Sequence, residues 1–255
     1  GGLGAVMGSK RLKAVAVRGK RLPPFAHPER LIQYGKELSR RSLGPATAKY
    51  RELGTVANLL VFNRLGTLPT RTFQAGPFEF AEALAPETLN AELPKTRASC
   101  AACTIGCEHL YHVGGKDNAA RPVRMEYENL FALGPLCGVG EAETVLRASA
   151  LCDDWGLDTI STGATIAFAM ECAERGLLDA PGLRFGNGPA LLATIEAIGS
   201  KRGLGELLAE GTRRAAEEIG QGSQDFAPHV KGLELPGYEP RALQTMALGL
   251  AGGTR

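Results

Sequence analysis

Glu141-Ala142-Glu143-Thr144-Val145-Leu146-Arg147-Ala148-Ser149-Ala150-Leu151-Cys152-Asp153-Asp154-Trp155-Gly156-Leu157-Asp158-Thr159-Ile160-Ser161-Thr162-Gly163 is the stretch whose reading decides the fold. Val145, Ser149 and Cys152, with Leu146, Leu151 and Trp155, recur at helical spacing, and Gly156 supplies a stop. Asp158 can cap a second helix that runs to Arg175 and closes at Gly176. Working outward, Pro28 can open a helix carrying Leu31, Ile32 and Leu38, and Thr55 to Leu65 is another, capped by Gly66. Asn187-Gly188-Pro189 starts a helix, Leu204 to Ile219 is the next, and Pro240 opens a last one. β signals are few: Lys13 to Arg18, after which Pro23-Pro24 breaks the pattern, and His229 to Leu235. The expected fold is mainly α with minor β, a helical region preceded by a remnant strand.

Composition narrows the class. Of 255 residues, 44% are hydrophobic and 22% charged, which excludes disorder and a coiled coil. A net charge of +2, with both signs mixed along the chain, gives no electrostatic case for nucleic acid or a membrane. The apolar run around Ala164 to Met170 is far shorter than the ~18 residues of a spanning helix. The chain is expected to be soluble, cytoplasmic and cut at both ends. Glycine is the unusual count, at 33, nearly twice the average share of about 7%. Such an excess calls for turns, caps or close backbone approaches.

Cys100-Ala101-Ala102-Cys103-Thr104-Ile105-Gly106-Cys107 carries the strongest chemistry. Three thiols within eight residues, with a glycine to let the backbone wrap, can converge on one metal centre. Iron–sulfur ligation is one reading. Zinc is the other, since His109 or His112 could complete a Cys3His site. Cys137, Cys152 and Cys172 sit in apolar or helical settings and read as small buried hydrophobes.

At the Asp153–Gly163 junction, two carboxylates and a helix start could hold the polar edge of a pterin or purine, or Asp158 could be a simple N-cap. Gly1-Gly2-Leu3-Gly4-Ala5-Val6-Met7-Gly8-Ser9-Lys10 has the look of a phosphate loop in the wrong order, because Gly8-Ser9-Lys10 precedes a strand candidate. In Met125-Glu126-Tyr127-Glu128-Asn129-Leu130 the two carboxylates at i, i+2 do not share a helix face, and each reads as a solvated surface group.

Together these segments resemble the aldehyde:ferredoxin oxidoreductase family of tungsten- or molybdenum-pterin enzymes. The matching motifs, in the family's order, begin with Gly1 to Lys10, then Leu12-Lys13-Ala14. Leu65-Gly66-Thr67-Leu68-Pro69-Thr70-Arg71 with Phe73 follows, then the cysteine cluster. Glu126-Tyr127-Glu128 with Leu133-Gly134-Pro135, the Asp153–Gly163 junction and Lys231-Gly232-Leu233-Glu234-Leu235-Pro236-Gly237-Tyr238-Glu239-Pro240-Arg241 complete the set.

The resemblance implies the central part of an enzyme more than twice as long. Residues 1–24 would be the end of a pterin-binding β base domain, 25–228 a helical domain with the iron–sulfur loop, and 229–255 the start of a third domain. Cys100, Cys103 and Cys107 would be three ligands of a [4Fe–4S] cluster, the fourth lying beyond residue 255. Asp153, Gly156, Leu157 and Asp158 would hold one of two pterins. Gly1, Gly2 and Leu3 would approach the pterin phosphates and their bridging magnesium, and Arg255 would contact the cofactor. Glu128, with Glu126 as the fallback, would be the acidic residue beside the metal. The implied reaction oxidises a small aldehyde to a carboxylate and passes electrons to ferredoxin or an iron–sulfur subunit. A relative that reduces an acyl-CoA or aromatic ring is the alternative within the family. Arg147 stands where some members carry a Glu for a dimer-bridging iron, so no such iron is expected, and a homodimer stays open. The fragment alone is expected to be inactive.

Overall fold

The computed structural model describes residues 3–21, 23–114 and 121–253. Its backbone contacts divide into two units, Gly1–Gly44 and Pro45–Arg255.

In the first unit, α1 spans Leu3–Ser9 and α2 spans Pro28–Ser42. Proline in the first turn of α2 leaves no helical N–H wasted, and Glu29 near its start with Arg40 and Arg41 near its end match the helix dipole. Two expectations are corrected here. Residues 13–18 form no strand among the described residues, because a strand needs a neighbour for its N–H and C=O groups; Val15 and Val17 stay exposed. The glycine-rich opening is helical from Leu3 onward, with the Lys10 N–H closing onto Val6 and Met7 carbonyls.

The second unit opens with α3 (Ala48–Leu53), a 3₁₀ turn over Thr55–Asn58, α4 (Leu59–Arg64) and α5 (Pro86–Glu92). A three-stranded antiparallel meander follows: β1 (Lys95–Ala98), β2 (Glu108–Val113) and β3 (Arg121–Met125). The pairing sets Ala98 opposite Glu108 and Leu110 opposite Arg124. The sequence reading missed this sheet. Its β2 face buries Tyr111, and β3 buries Val123 and Met125, short period-2 patterns hidden beside the cysteine loop.

Helices then dominate: α6 (Tyr127–Leu133), α7 (Ala142–Trp155), α8 (Thr159–Glu174), α9 (Gly188–Ser200), α10 (Leu204–Leu208) and α11 (Thr212–Ile219). The expected helix from Leu204 to Ile219 is thus two, broken at Gly211. The hairpin β4 (His229–Val230) and β5 (Leu233–Glu234) replaces the expected single strand, and α12 begins at Gln244, later than Pro240. The mainly α, minor β expectation holds for the whole.

Helix α8 is the axle of the core. Ile166, Ala167, Phe168, Ala169, Met170 and Cys172 are all fully buried, so α8 is apolar on every side. It packs against α6, α7, α9, α10 and α11. Burial of this kind brings the junction before α8 and the first turn of α6 together and holds both rigidly.

Candidate functional site

The cysteine loop is the tip of the β1–β2 hairpin. Cys100 is exposed, Cys103 and Cys107 are half-buried, and all three are free thiols. The Cys103 N–H donates to the Cys100 carbonyl at 3.0 Å, and left-handed backbone at Ala102 and Gly106 wraps the chain around the loop. Burial, and next the Glu126 carboxylate, raise the Cys107 thiol, with Cys103 and Cys100 adding smaller effects, so the three thiols lie within electrostatic reach of one another.

The base of this hairpin is held by the end of α3. His109, 1% exposed, donates Nε2–H to the Arg51 carbonyl at 3.2 Å. Arg97 donates to the same carbonyl at 3.2 Å, and Lys95 to the Glu52 carbonyl at 2.9 Å. Cations thereby satisfy the last carbonyls of a helix, where its dipole is negative. Burial, and next Lys95, push the His109 pKa down. Its imidazole is therefore a neutral packing group turned onto Arg51, with Nδ1 beside Gly54.

At the second motif, α7 ends on Gly156 in the left-handed region (φ +67°), a conformation that costs other residues about 1 kcal/mol or more. The Gly156 and Leu157 N–H groups close onto the Asp153 and Cys152 carbonyls, so both are satisfied within the turn. Asp158 caps α8, its Oδ1 accepting the Ser161 N–H at 2.8 Å. Asp153 and Asp158 present exposed carboxylates, and Leu157 is half-buried. A cavity of about 210 Å³ opens beside the junction, lined by Leu157, Asp158, Ser161, Thr165, Ile198 and Gly211 among others. Glu234 on β5 frames this region, accepting the Ser161 hydroxyl at 2.9 Å and the Thr212 N–H at 2.8 Å.

The start of α6 separates the two carboxylates of the Glu-Tyr-Glu motif. Glu126 has extended backbone and accepts the Thr55 hydroxyl at 2.6 Å, on the side of Cys107. Glu128 lies in the first helical turn, its Oε2 accepting the Gly237 N–H at 2.8 Å. Neither is a solvated surface group, which corrects that reading. Burial raises both; for Glu128 the Gly237 N–H opposes the rise and Asp158 adds to it. Tyr127 donates its hydroxyl to the Gly237 carbonyl, so one helical turn grips both polar atoms of Gly237. A Cβ there would sit 2.7 Å from Tyr127 Cε1 and 2.8 Å from Phe131 Cγ, so only glycine fits.

Sequence reasoning missed the loop at Arg71, Thr72 and Phe73, three consecutive non-glycine residues at positive φ. Each costs on the order of 1–2 kcal/mol. The loop persists because the Arg71 and Thr72 N–H groups bond the Pro135 and Leu136 carbonyls, and Arg241 bonds the Phe73 carbonyl at 2.6 Å. Arg241 is itself gripped by Glu239. The three motifs that contain these residues therefore meet in space.

Of the remaining candidates, Leu3 begins α1 and is exposed. Gly1, Gly2 and Arg255 lie outside the described residues. Cys137, Cys152 and Cys172 are buried, with the Cys152 and Cys172 thiols pushed up to about 12 and about 11, so they are inert core side chains. Among the described residues no group of three ligands is already closed around a metal position. The donor types still suit an iron–sulfur cluster, with three free thiols on one wrapped loop. The junction fits a hydrogen-bonding heterocycle, with the exposed Asp158 carboxylate at the rim of a cavity and exposed Asp153 at the end of the preceding helix. No helix among the described residues is long and apolar enough to cross a membrane.

Residues 33–255 match the family model described as aldehyde ferredoxin oxidoreductase, domains 2 and 3. The chain is 38% identical to the tungsten-containing aldehyde ferredoxin oxidoreductase of Thermococcus kodakarensis and 37% identical to that of Pyrococcus furiosus. The first match covers all of this chain and 42% of the relative, the second all of this chain and 43%. The chain thus spans about two-fifths of the length of these relatives. It is also 31% identical, over 95% of its length, to the WOR-like subunit of the aliphatic sulfonate oxidoreductase of Pyrococcus furiosus. Among solved structures, the active site complex BamBC of benzoyl coenzyme A reductase, with 1,5-dienoyl-CoA, superposes with a TM-score of 0.73. That likeness has 25% identity and covers 93% of this chain and 38% of the other. The chain belongs to the aldehyde ferredoxin oxidoreductase family.

Proposed function

We propose that this chain is the central part of a tungsten- or molybdenum-pterin enzyme that oxidises a small aldehyde to a carboxylate. The observation that carries the reading is the placing of Glu128. Its half-buried carboxylate, oriented by Gly237, lies within electrostatic reach of Asp158, while Glu126 bonds Thr55 and lies within reach of Cys107 in the cysteine hairpin. When bound, the pterin-held metal supplies the two-electron oxidation, and the cluster a one-electron relay. An aldehyde and water give a carboxylate, three protons and two electrons. Glu128 accepts a proton at its free carboxylate oxygen, and the Gly237 N–H keeps the other oxygen fixed. Asp158 at the rim of the cavity and Asp153 at the end of α7 accept N–H groups of a pterin, with Gly156 and Leu157 shaping the turn. Cys100, Cys103 and Cys107 hold three corners of a [4Fe–4S] cluster, and exposed Cys100 leaves that side open to ferredoxin or an iron–sulfur subunit. Gly1, Gly2 and Leu3 are assigned to the pterin phosphates and magnesium, and Arg255 to the cofactor. A cytoplasmic setting suits unpaired thiols of this kind.

Metal analysis of the full-length protein tests the reading, together with the electron paramagnetic resonance of the reduced protein and aldehyde-dependent reduction of ferredoxin. Tungsten or molybdenum with a [4Fe–4S] signal supports it. Zinc alone, at about one per chain, sinks it. The likeness to BamBC over 93% of this chain favours one second reading, reduction of an aromatic acyl-CoA. Turnover of an aromatic thioester, with none of aldehydes, selects that alternative.

A further inference from the structure

Four elements are joined by one unbroken run of side-chain hydrogen bonds. The Thr159 hydroxyl, at the first residue of α8, donates to Asn129 Oδ1 on α6 at 3.1 Å. Asn129 Nδ2 donates to the Ser149 hydroxyl on α7 at 3.1 Å, and Ser149 Oγ donates to the Arg124 carbonyl on β3 at 3.2 Å. Every donor and acceptor is used once and in one direction, so the bonds polarise one another. Ser149 is fully buried.

The two ends of this run are what give it meaning. Thr159 directly follows Asp158, the cap of the pterin-side junction. Arg124 pairs with Leu110 across the sheet, and its guanidinium bonds Glu108 at 2.5 Å, the residue directly after Cys107. Arg124 also lies within electrostatic reach of both Asp153 and Glu126. Beside it the contacts between α6, α7 and α8 are largely apolar, with Cys152 on α7 also bonded to Thr162 on α8, and apolar contacts tolerate small slides. A directional polar run does not.

We propose that Thr159, Asn129 and Ser149 are positioning residues that fix the cysteine hairpin against the Asp153–Asp158 junction, and with it the spacing between the two redox groups. This rests on the reading of those two sites given above. Electron transfer falls steeply with distance, so the run would act on the step between the groups and leave substrate binding alone.

The test uses the full-length holoenzyme with Thr159→Val and Ser149→Ala, which remove a hydroxyl at nearly constant shape, and Thr159→Ser, which restores it. Two readouts are taken: magnetic broadening between the reduced cluster and the paramagnetic pterin metal, and the rate of cluster reduction by aldehyde. Expected are wild-type metal content and KM in Thr159→Val and Ser149→Ala, altered broadening, and reduction slower by about tenfold or more. Thr159→Ser returns both readouts to wild type. Wild-type broadening and rate in Thr159→Val and Ser149→Ala overturn the proposal. Loss of either metal from Thr159→Val also overturns it, because the role is then folding. A wild-type protein without a cluster removes the reading of the hairpin itself, and this inference with it.

Discussion

Glu128 and Gly237 stand 109 positions apart in the chain, yet the Glu128 carboxylate accepts the Gly237 N–H at 2.8 Å. The bond leaves one carboxylate oxygen committed and one available. It also means that a residue of the Leu-Pro-Gly-Tyr motif aims the acidic residue of the Glu-Tyr-Glu motif, before any cofactor is considered.

Glu128→Gln separates the charge from the shape. Glutamine still accepts the Gly237 N–H but takes up no proton, so kcat of the holoenzyme should fall on the order of 10²–10⁴-fold with metal content unchanged. Burial raises the Glu128 pKa, so kcat/KM of the parent should decline on its acid limb above the ordinary glutamate value of about 4.3. The sign for stability follows from the same shift. A carboxyl whose folded pKa is raised stabilises the fold below its unfolded pKa and loses that contribution as pH rises through the folded value. Glu128→Gln should therefore melt higher than the parent at about pH 7, with the gain vanishing in acid. Thermal melts across pH check this, and equal melting at neutral pH would contradict it.

The partner residue makes a second test. In Tyr127→Phe the buried Gly237 carbonyl loses its hydroxyl donor, at a cost of about 1–3 kcal/mol. Gly237→Ala forces a methyl against Tyr127 and Phe131 and should cost about 1–3 kcal/mol as well. Both shift Glu128, so both should also move the acid limb of the rate profile, which a remote core change would not. Denaturant unfolding and a pH–rate series measure the two effects.

Asp158 carries two roles that substitution can part. As N-cap it bonds the Ser161 N–H, and Asp158→Ala should cost about 1 kcal/mol whether or not cofactor is present. Asparagine caps a helix as well as aspartate does, so Asp158→Asn should leave stability near the parent. If the carboxylate also holds a pterin, both variants lose pterin on extraction and only Asp158→Ala loses stability. Full pterin content in Asp158→Asn would confine the residue to capping.

Periodicity made α7, α8 and the turn between them legible because Gly156 and Asp158 are local signals whose meaning does not depend on distant chain. The Gly237 contact had no such signal, since it joins residues brought together only when α6 packs on α8. The β1–β3 meander was hidden for a related reason. Its strands run four to six residues, too short for alternation to stand out beside three cysteines. At Lys13–Arg18 the error ran the other way, because β propensity without a partner does not make a strand. The left-handed run at Arg71–Phe73 was invisible, as nothing in Arg-Thr-Phe favours positive φ and only the Pro135, Leu136 and Arg241 contacts impose it.

Cys103→Ser tells a cluster on a finished scaffold from a metal that makes the scaffold. The hairpin that bears the loop is tied down by its own ladder, by Tyr111, Val123 and Met125 in the core, and by His109, Lys95 and Arg97 on the end of α3. None of these contacts runs through a cysteine. Removing one thiol should strip the iron and abolish electron delivery while the protein keeps its helical circular dichroism and loses little stability. A zinc module of the Cys3His kind would behave in the opposite way, because its binding energy is its folding energy, about 10–16 kcal/mol in small zinc domains. His109 bonds the Arg51 carbonyl through Nε2, so a Cys3His site would have to use its Nδ1 or His112. Iron analysis and a thermal melt of Cys103→Ser, set against the parent, decide it: iron lost with folding intact upholds a cluster on a prebuilt hairpin, and collapse of the fold refutes it.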